Sequence, residues 1–320
     1  MQIPPTGPLV SVALCTYNGE RFLREQLDSI LAQRGVQLDV VAVDDASQDG
    51  TLALLREYAE RDGRVRVEAN PHNLGPVRSF ERAMGLCTGE FIAPCDQDDV
   101  WEPDKLSALL AKMGDADLAY CDSEYIDGDG RRSDRRISGD RTMMSGRIPL
   151  QFVFANSVSG HACVVRRSLF QAARPFPDGV FHDWWLAMCA AAGRGVMYVD
   201  QALVQYRRHG EAFSPVGRDA DPVPGGNRAW LDERCRLLEA FIAHRLRDHA
   251  RAAALLASLK QAIAGGATLP LLRCLWNARD AAPPGTGSRA LNAVRLQARV
   301  LNKLRRARGE PDGAGPRFRL

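Results

Sequence analysis

Residues 9–51 read LVSVALCTYNGERFLREQLDSILAQRGVQLDVVAVDDASQDGT. Leu9–Cys15 is an unbroken apolar run of strand length, and Leu38–Val43 is a second. Between them, Phe22, Leu23, Leu27, Ile30 and Leu31 recur on one side of a helix expected from about Glu20 to Gln33. Ser47 and Asp49 stand where they can cap a further helix from Thr51 to about Arg61. The alternation continues outward, with a strand over Arg64–Glu68, a helix from Val77 to about Cys87 and a strand over Glu90–Pro94. Such spacing predicts βαβ units. The fold expected is α/β and Rossmann-like, with a mostly parallel central sheet and helices on both faces.

Beyond Trp101 the alternation loosens. A helix is expected over Asp104–Met113 and a strand over Asp117–Cys121. Asp127–Arg147, rich in Gly, Arg, Asp and Ser, reads as a mobile surface loop. Ala162–Val165, Asp183–Ala192 and Met197–Tyr206 supply strand, helix and strand. Pro215–Asn227 reads as a linker between a domain over residues 1–214 and a helical C-terminal region over 228–320, broken at Pro283–Gly287.

The chain has 320 residues, 45% of them hydrophobic, enough for one large domain and a smaller appendage. A formal net charge of +3 is too small to point to nucleic acid as a partner. The eight cysteines form no C-x-x-C pair and sit mostly in apolar runs, as buried thiols in a reducing compartment would. Met1–Pro8 lacks the basic start and apolar stretch of a signal peptide, and no apolar run approaches the roughly 20 residues that span a bilayer. The expectation is a cytoplasmic protein.

In a parallel sheet the loops at the carboxyl ends of the strands make the ligand crevice. The unusual polar clusters fall there: Thr16-Tyr17-Asn18-Gly19-Glu20 after the first strand, Asp44-Asp45-Ala46-Ser47 after the second, Asp96-Gln97-Asp98-Asp99 after the fourth. One Asp pair after a strand is commonly a turn and a helix cap. Adjacent carboxylates repel, however, and three such loops in register ask for a compensating cation or ligand. An Asp-x-Asp on a tight loop can place one carboxylate on a ribose hydroxyl and the other on a divalent cation bridging two phosphates. The twelve-position pattern of an EF-hand is absent.

Taken in order, VSVALCTYNGERFLREQLDSILAQ, VVAVDDASQDGT, NLGPVRSFERA, GEFIAPCDQDDVW, FHDWW and QYRRHG resemble a family 2 glycosyltransferase of the GT-A fold over roughly residues 9–213. DQDDVW with HDWW is similar to bacterial rhamnosyltransferase-like members that build O-antigen, capsule or exopolysaccharide. The resemblance implies an inverting transfer of a single sugar, rhamnose in that subgroup, from a nucleotide-diphosphate sugar to a saccharide or lipid-linked acceptor, with Mg²⁺ or Mn²⁺ as cofactor. By position it puts Thr16, Tyr17, Asn18, Glu20, Asp44, Asp45, Arg78, Asp96 and Arg208 on the nucleotide sugar. Asp98, Asp99 and His209 fall on the metal, and Asp183 on the general base. His161, Trp184 and Trp185 fall on the acceptor side.

Alternatives stand beside these roles. Many members carry an Arg where this chain has Phe80, which leaves Arg78, half a turn earlier, as the diphosphate contact. The base motif is His182-Asp183 rather than Glu-Asp, and His182 is either structural or a second candidate base. Of Trp184 and Trp185, one is expected to stack on an acceptor sugar and the other to pack the helix. Ser159-Gly160-His161 lines the acceptor pocket or simply turns into the next strand. Arg289, Arg295, Arg299, Lys303, Arg305, Arg306 and Arg308 accompany Leu296, Val300 and Leu304 at helical spacing with no acidic residue. That helix lies on an anionic membrane or packs on the catalytic domain. The Gln-x-x-Arg-Trp of processive polymerases is missing, as are the G-x-G-x-x-G of a dehydrogenase and the basic Gly-rich loop of a nucleotidyltransferase. A non-catalytic nucleotide-sugar-binding protein of the same fold is the alternative function.

Overall fold

The computed structural model describes residues 7–209, 226–281 and 288–309. The first half alternates β1 (Leu9–Thr16), α1 (Glu20–Leu31), β2 (Gln37–Asp44), α2 (Thr51–Arg61), β3 (Val65–Ala69), α3 (Pro76–Leu86) and β4 (Phe91–Cys95). It continues through β5 (Val100–Trp101), α4 (Lys105–Met113), β6 (Leu118–Ile126), β7 (Arg132–Arg136) and α5 (Ile137–Asp140). After a long connection come β8 (Cys163–Arg166), α6 (Arg167–Ala173), α7 (His182–Ala192) and β9 (Val196–Arg207). Helices α8 (Gly226–Ala243), α9 (His249–Ile263), α10 (Leu269–Asn277) and α11 (Arg289–Ala307) follow.

The strands form one sheet in the order β3-β2-β1-β4-β8-β6-β9-β5, with β7 paired to β6. β3, β2, β1 and β4 run parallel. β8 lies antiparallel between β4 and β6, and β9 is parallel to β6, so the second half of the sheet is mixed. The chain runs β1 to β2 to β3 in one direction across the sheet and returns to β4 on the other side of β1. That reversal opens a crevice at the carboxyl ends of β1 and β4.

Both faces are covered, which is why β1 is apolar but for Ser11 and Thr16, both buried. Val10, Val12 and Leu14 pack with Leu23, Leu27 and Ile30 of α1 and Leu106 and Leu109 of α4. The other face joins Ala13, Val41 and Ile92 to Phe152, Trp185 and Leu186, and the same cluster reaches Trp230, Leu238, Leu259, Leu275, Val300 and Leu304 of the C-terminal helices. Three buried polar residues, Gln26 and Ser29 of α1 and Gln33 just beyond it, hold the approach to α4. Ser29 Oγ accepts from Trp101 N at 3.1 Å, and Gln33 donates to the Glu102 carbonyl at 2.8 Å and accepts from Leu106 N at 3.0 Å; Gln26 lends its carbonyl to the Ser29 hydroxyl at 2.8 Å.

Two expectations need correction. Asp127–Arg147 contains β7 and α5 and is anchored, because Ile137 and Met144 are buried within a polar stretch. Asp122 accepts from Ser138 N at 3.1 Å and Oγ at 2.6 Å, and Tyr120 accepts from Met144 N at 2.8 Å. β6 runs on to Ile126 because Asp122 and Ser123, polar but fully buried, find partners inside. The expected linker 215–227 and the breaker Pro283–Gly287 lie outside the described residues, apart from positions 226 and 227, which belong to α8.

Candidate active site

The loops after β1, β2 and β4 are tied together by their side chains. Gln97 accepts from Tyr17 N at 2.8 Å and donates back to the Tyr17 carbonyl at 3.0 Å. A Cβ at position 19 would stand 2.2 Å from the Gln97 amide oxygen, so only glycine leaves room for this latch. Asn18, at φ 49°, donates its N–H to Ser47 Oγ at 3.0 Å and accepts from Gln48 N at 2.9 Å. Glu20 accepts from Gly50 N at 2.9 Å. Asp44 accepts from Thr16 Oγ1 at 3.0 Å and from Ser47 N and Oγ, and Asp45 accepts from Asn70 Nδ2, Leu74 N and Gly75 N. Ser47 therefore bridges Asp44 and Asn18 rather than capping α2. Asp49 takes the first-turn N–H of Thr51 at 3.0 Å. Among these residues Tyr17 presents a ring to solvent, 46% exposed, on which a base can stack.

The Asp96–Asp99 loop forms the floor. Asp99 is fully buried; its Oδ1 accepts from Arg207 N at 3.0 Å, and its Oδ2 has no hydrogen-bond partner. Asp98 Oδ2 lies 2.9 Å from His209 Nε2. His161, buried and stacked on Tyr206 at 4.5 Å, places Nδ1 3.8 Å from both Asp96 Oδ2 and Asp99 Oδ2, and Nε2 3.0 Å from Ser123 Oγ. Loss of water at the foot of the crevice, then the charges of Asp98 and Asp183, push Asp96 up to about 7. Burial and the same crowding raise Asp99. Lys105, beneath the loop, donates to the His161 carbonyl at 2.5 Å and stands over the Trp101 ring; burial pushes it down to about 8. Crowded carboxylates with one buried oxygen left unpartnered fit a hard divalent cation. Two donor sets are available: Asp98 with His209, and Asp96, Asp99 and His161, whose ligand atoms lie within 4.8 Å of one another.

Asp183 lies in the first turn of α7, near enough for its charge to raise Asp96. Its Oδ1 accepts from Trp184 N at 2.6 Å, and it takes a further backbone hydrogen bond from Gly160. Burial pushes its carboxyl up to about 6 against those hydrogen bonds, which leaves it ionised yet basic near neutral pH. The next residue along from Gly160 is His161, so one short turn connects the carboxylate of α7 to the Asp96–Asp99 floor.

Residues 11–173, just over half the chain, match the model of the family described as glycosyl transferase family 2. The chain belongs to glycosyl transferase family 2. It is a glycosyltransferase, similar to an uncharacterized glycosyltransferase of Haemophilus influenzae at 26% identity over 222 residues, 65% of this chain and 68% of that protein. It is also similar to the putative glycosyltransferase EpsH of Bacillus subtilis, 30% identical over 214 residues, 63% of this chain and 61% of that one. Succinoglycan biosynthesis protein ExoO of Rhizobium meliloti is 36% identical over 126 residues, 39% of this chain and 36% of ExoO. Among solved structures, S. aureus TarS 1-349 in complex with UDP-GlcNAc superposes with TM-score 0.59 at 16% identity, over 95% of this chain and 92% of that one. Mannosyltransferase PcManGT from Pyrobaculum calidifontis, in complex with GDP-Man and Mn²⁺, gives 0.50 at 22% identity, over 95% and 87%. The fold is accordingly of the GT-A type.

Within that family fold, several expected contacts are engaged elsewhere. Trp185 is fully buried and donates to the Ala173 carbonyl at 2.8 Å, so it packs α7 and cannot reach an acceptor. Trp184 is half-buried, donates to the Phe152 carbonyl and carries the Arg234 guanidinium 4.6 Å above its ring. Arg78 is held by Glu81, Asp178 and the Phe176 carbonyl. His182 is buried with both ring nitrogens unpartnered and stacks on Phe80 at 3.9 Å; burial pushes it down to about 3.

Arg207 went unremarked in the sequence. Its guanidinium reaches the carbonyls of Asp98 (2.8 Å) and Asp127 (3.4 Å) and the Glu25 carboxylate (2.5 Å), and its N–H holds Asp99. Arg208, its neighbour, is exposed and stands over the Tyr125 ring at 5.8 Å. Arg207 ends β9 and is buried, whereas Arg208 follows it and is exposed, so it is Arg207 that braces the floor. No period of two marks the difference, because Tyr206 and Arg207 are both buried.

Proposed function

We propose that this chain transfers a single sugar, with inversion, from a nucleoside-diphosphate sugar to a hydroxyl of a saccharide or lipid-linked acceptor in bacterial surface polysaccharide synthesis. The observation that carries the reading is the Asp183 carboxylate, tied to the Gly160 backbone next to His161 and close enough for its charge to raise Asp96 in the crowded Asp96–Asp99 loop. The sugar nucleotides bound to TarS and PcManGT, and the role that ExoO's name states, support the substrate class and the pathway.

Tyr17 would stack on the base, Asp44 and Asp45 would shape its pocket with Thr16, Asn18 and Glu20, and Asp96 would take the ribose. Asp98 with His209, and Asp99 with His161, would hold Mg²⁺ or Mn²⁺, and Arg208 would reach the diphosphate. When bound, the cation neutralises charge on the departing diphosphate. Asp183 takes the acceptor hydroxyl proton as its oxygen bonds to the anomeric carbon and the carbon–oxygen bond to phosphate breaks on the far side. One displacement of this kind inverts the anomeric centre. Rhamnose as donor sugar rests on the resemblance of DQDDVW and HDWW alone.

Among the described residues no helix is long and apolar enough to cross a membrane. A place at the inner face of the membrane, reached through the basic C-terminal helices, would bring the crevice to lipid-linked acceptors.

A screen of nucleotide sugars with Mg²⁺ or Mn²⁺ tests the reading. One donor should release its nucleoside diphosphate, chelator should stop the release, and NMR of the new glycosidic bond should show inverted configuration. Full activity in chelator, or a retained configuration, would contradict it.

A further inference from the structure

Half of the large apolar side chains that stand exposed among the described residues lie on α10 and α11: Leu269 at 55%, Trp276 at 41%, Leu291 at 40% and Val294 at 41%. The two helices run side by side, with Gln297 Nε2 donating to the Leu272 carbonyl at 2.9 Å. α10 turns Leu271 and Leu275 inward, and α11 turns Ala293, Leu296, Val300 and Leu304 inward. Outside these buried rows, positions 269, 272 and 276 follow one stripe of α10, and 291, 294, 298 and 301 follow one stripe of α11. Every residue on the two stripes is Leu, Val, Trp or Ala.

Cations frame this ridge. Arg273 and Arg305 are exposed beside it, and the Arg279 guanidinium stands 5.9 Å from the Trp276 ring. Asp280, the one acidic residue in the described parts of these two segments, is paired to Arg251 at 2.6 Å. The remaining basic residues of α11 are not all part of the same face. Arg299 and Lys303 lie over Trp230 of α8, each at 5.6 Å, and Arg308 bonds to the Ala262 carbonyl at the end of α9.

We propose that the α10–α11 ridge is the surface by which the chain lies on an anionic phospholipid bilayer, with Trp276 seated among the headgroups. An exposed indole and aliphatic stripe flanked by arginines matches an interface that is apolar below and negative above. A second copy of the chain is the poorer occupant, since a twofold contact would set arginines against arginines. The proposal gives the membrane contact of the previous section its residues, and rests on that reading for its purpose but not for its measurement.

The full chain is mixed with phosphatidylcholine vesicles with and without phosphatidylglycerol, and binding is read by co-sedimentation and by tryptophan emission. Trp101, Trp185 and Trp230 are buried and Trp184 half-buried, so a blue shift reports Trp276. Binding and the shift are expected with phosphatidylglycerol only. W276A combined with L291S, and separately R273E combined with R279E, should each weaken binding about tenfold or more. Metal-dependent donor hydrolysis should stay at the wild-type rate in both, which separates this test from that of the function. Equal binding to both vesicle types, variants that bind as wild type does, or a wild-type dimer in light scattering that W276A dissociates would each overturn the proposal.

Discussion

The place of Asp183 at the start of α7 sets how readily its carboxyl takes a proton. Desolvation lifts its carboxyl from the usual 3.8 to about 6, and a general base acts only when ionised. Transfer at saturating metal and donor should therefore be level above that value and fall about tenfold per pH unit below it. An acid limb near 4 would mean a wet, unperturbed carboxylate; one near 3 would point to His182, whose imidazole is pushed down to about 3. Arg207 makes a second test. Arg207→Lys keeps the charge but offers a point donor where three acceptors surround a planar fork. Donor affinity with metal should fall about tenfold or more and stability by about 1–3 kcal/mol, by calorimetry and denaturant unfolding. At this scale the sequence was half legible. The clusters Thr16–Glu20, Asp44–Asp45 and Asp96–Asp99 announced themselves by composition and position. Arg207, Glu25, Lys105 and Gln97 did not, because each acts through partners far along the chain: 182 residues separate Arg207 from Glu25.

The elements show why two departures from the family pattern belong together. Phe80 of α3 replaces the Arg of many members, His182 of α7 replaces the Glu, and the two rings stack at 3.9 Å. A Cβ on Gly160 would stand 2.6 Å from His182 Nε2, so the turn that carries His161 is fitted to that stack. Placing an ion there from one side only would leave it buried and unpaired. Phe80→Arg and His182→Glu should each destabilise the fold by about 2–4 kcal/mol, and the double variant by at least about 1 kcal/mol less than their sum. Strict additivity in thermal or denaturant unfolding would show that the two positions do not communicate. Local pattern exposed α1, α2, α3 and α4 almost to the residue, because their apolar spacing is regular. It failed over Asp127–Arg147, where Ile137 and Met144 are single anchors in a polar stretch and carry no period.

Across the whole molecule, α8–α11 close the same apolar cluster that backs α7. We propose that the N-terminal and C-terminal parts unfold as one unit. Leu304, buried on α11, should then cost about 2–4 kcal/mol when cut to alanine and lower the single melting transition of the full chain. A main transition left unmoved would mark the C-terminal helices as independent. The parallel half of the sheet was readable from alternation, whereas the pairing of β8 between β4 and β6 rests on contacts no local pattern encodes. The assembled fold brings Asp183 of α7 close enough to the Asp96–Asp99 loop for its charge to raise Asp96, and the proposed function divides donor binding and proton removal between the two. The most direct test is calorimetric titration of donor with Mn²⁺, run beside a transfer assay, on wild type, Asp98→Asn and Asp183→Asn. Asp98→Asn should lose metal-dependent donor binding. Asp183→Asn should bind donor within about a few-fold of wild type yet transfer about 10²–10⁴ times more slowly. Undiminished transfer by Asp183→Asn, or loss of donor binding in both variants alike, would contradict that division of labour.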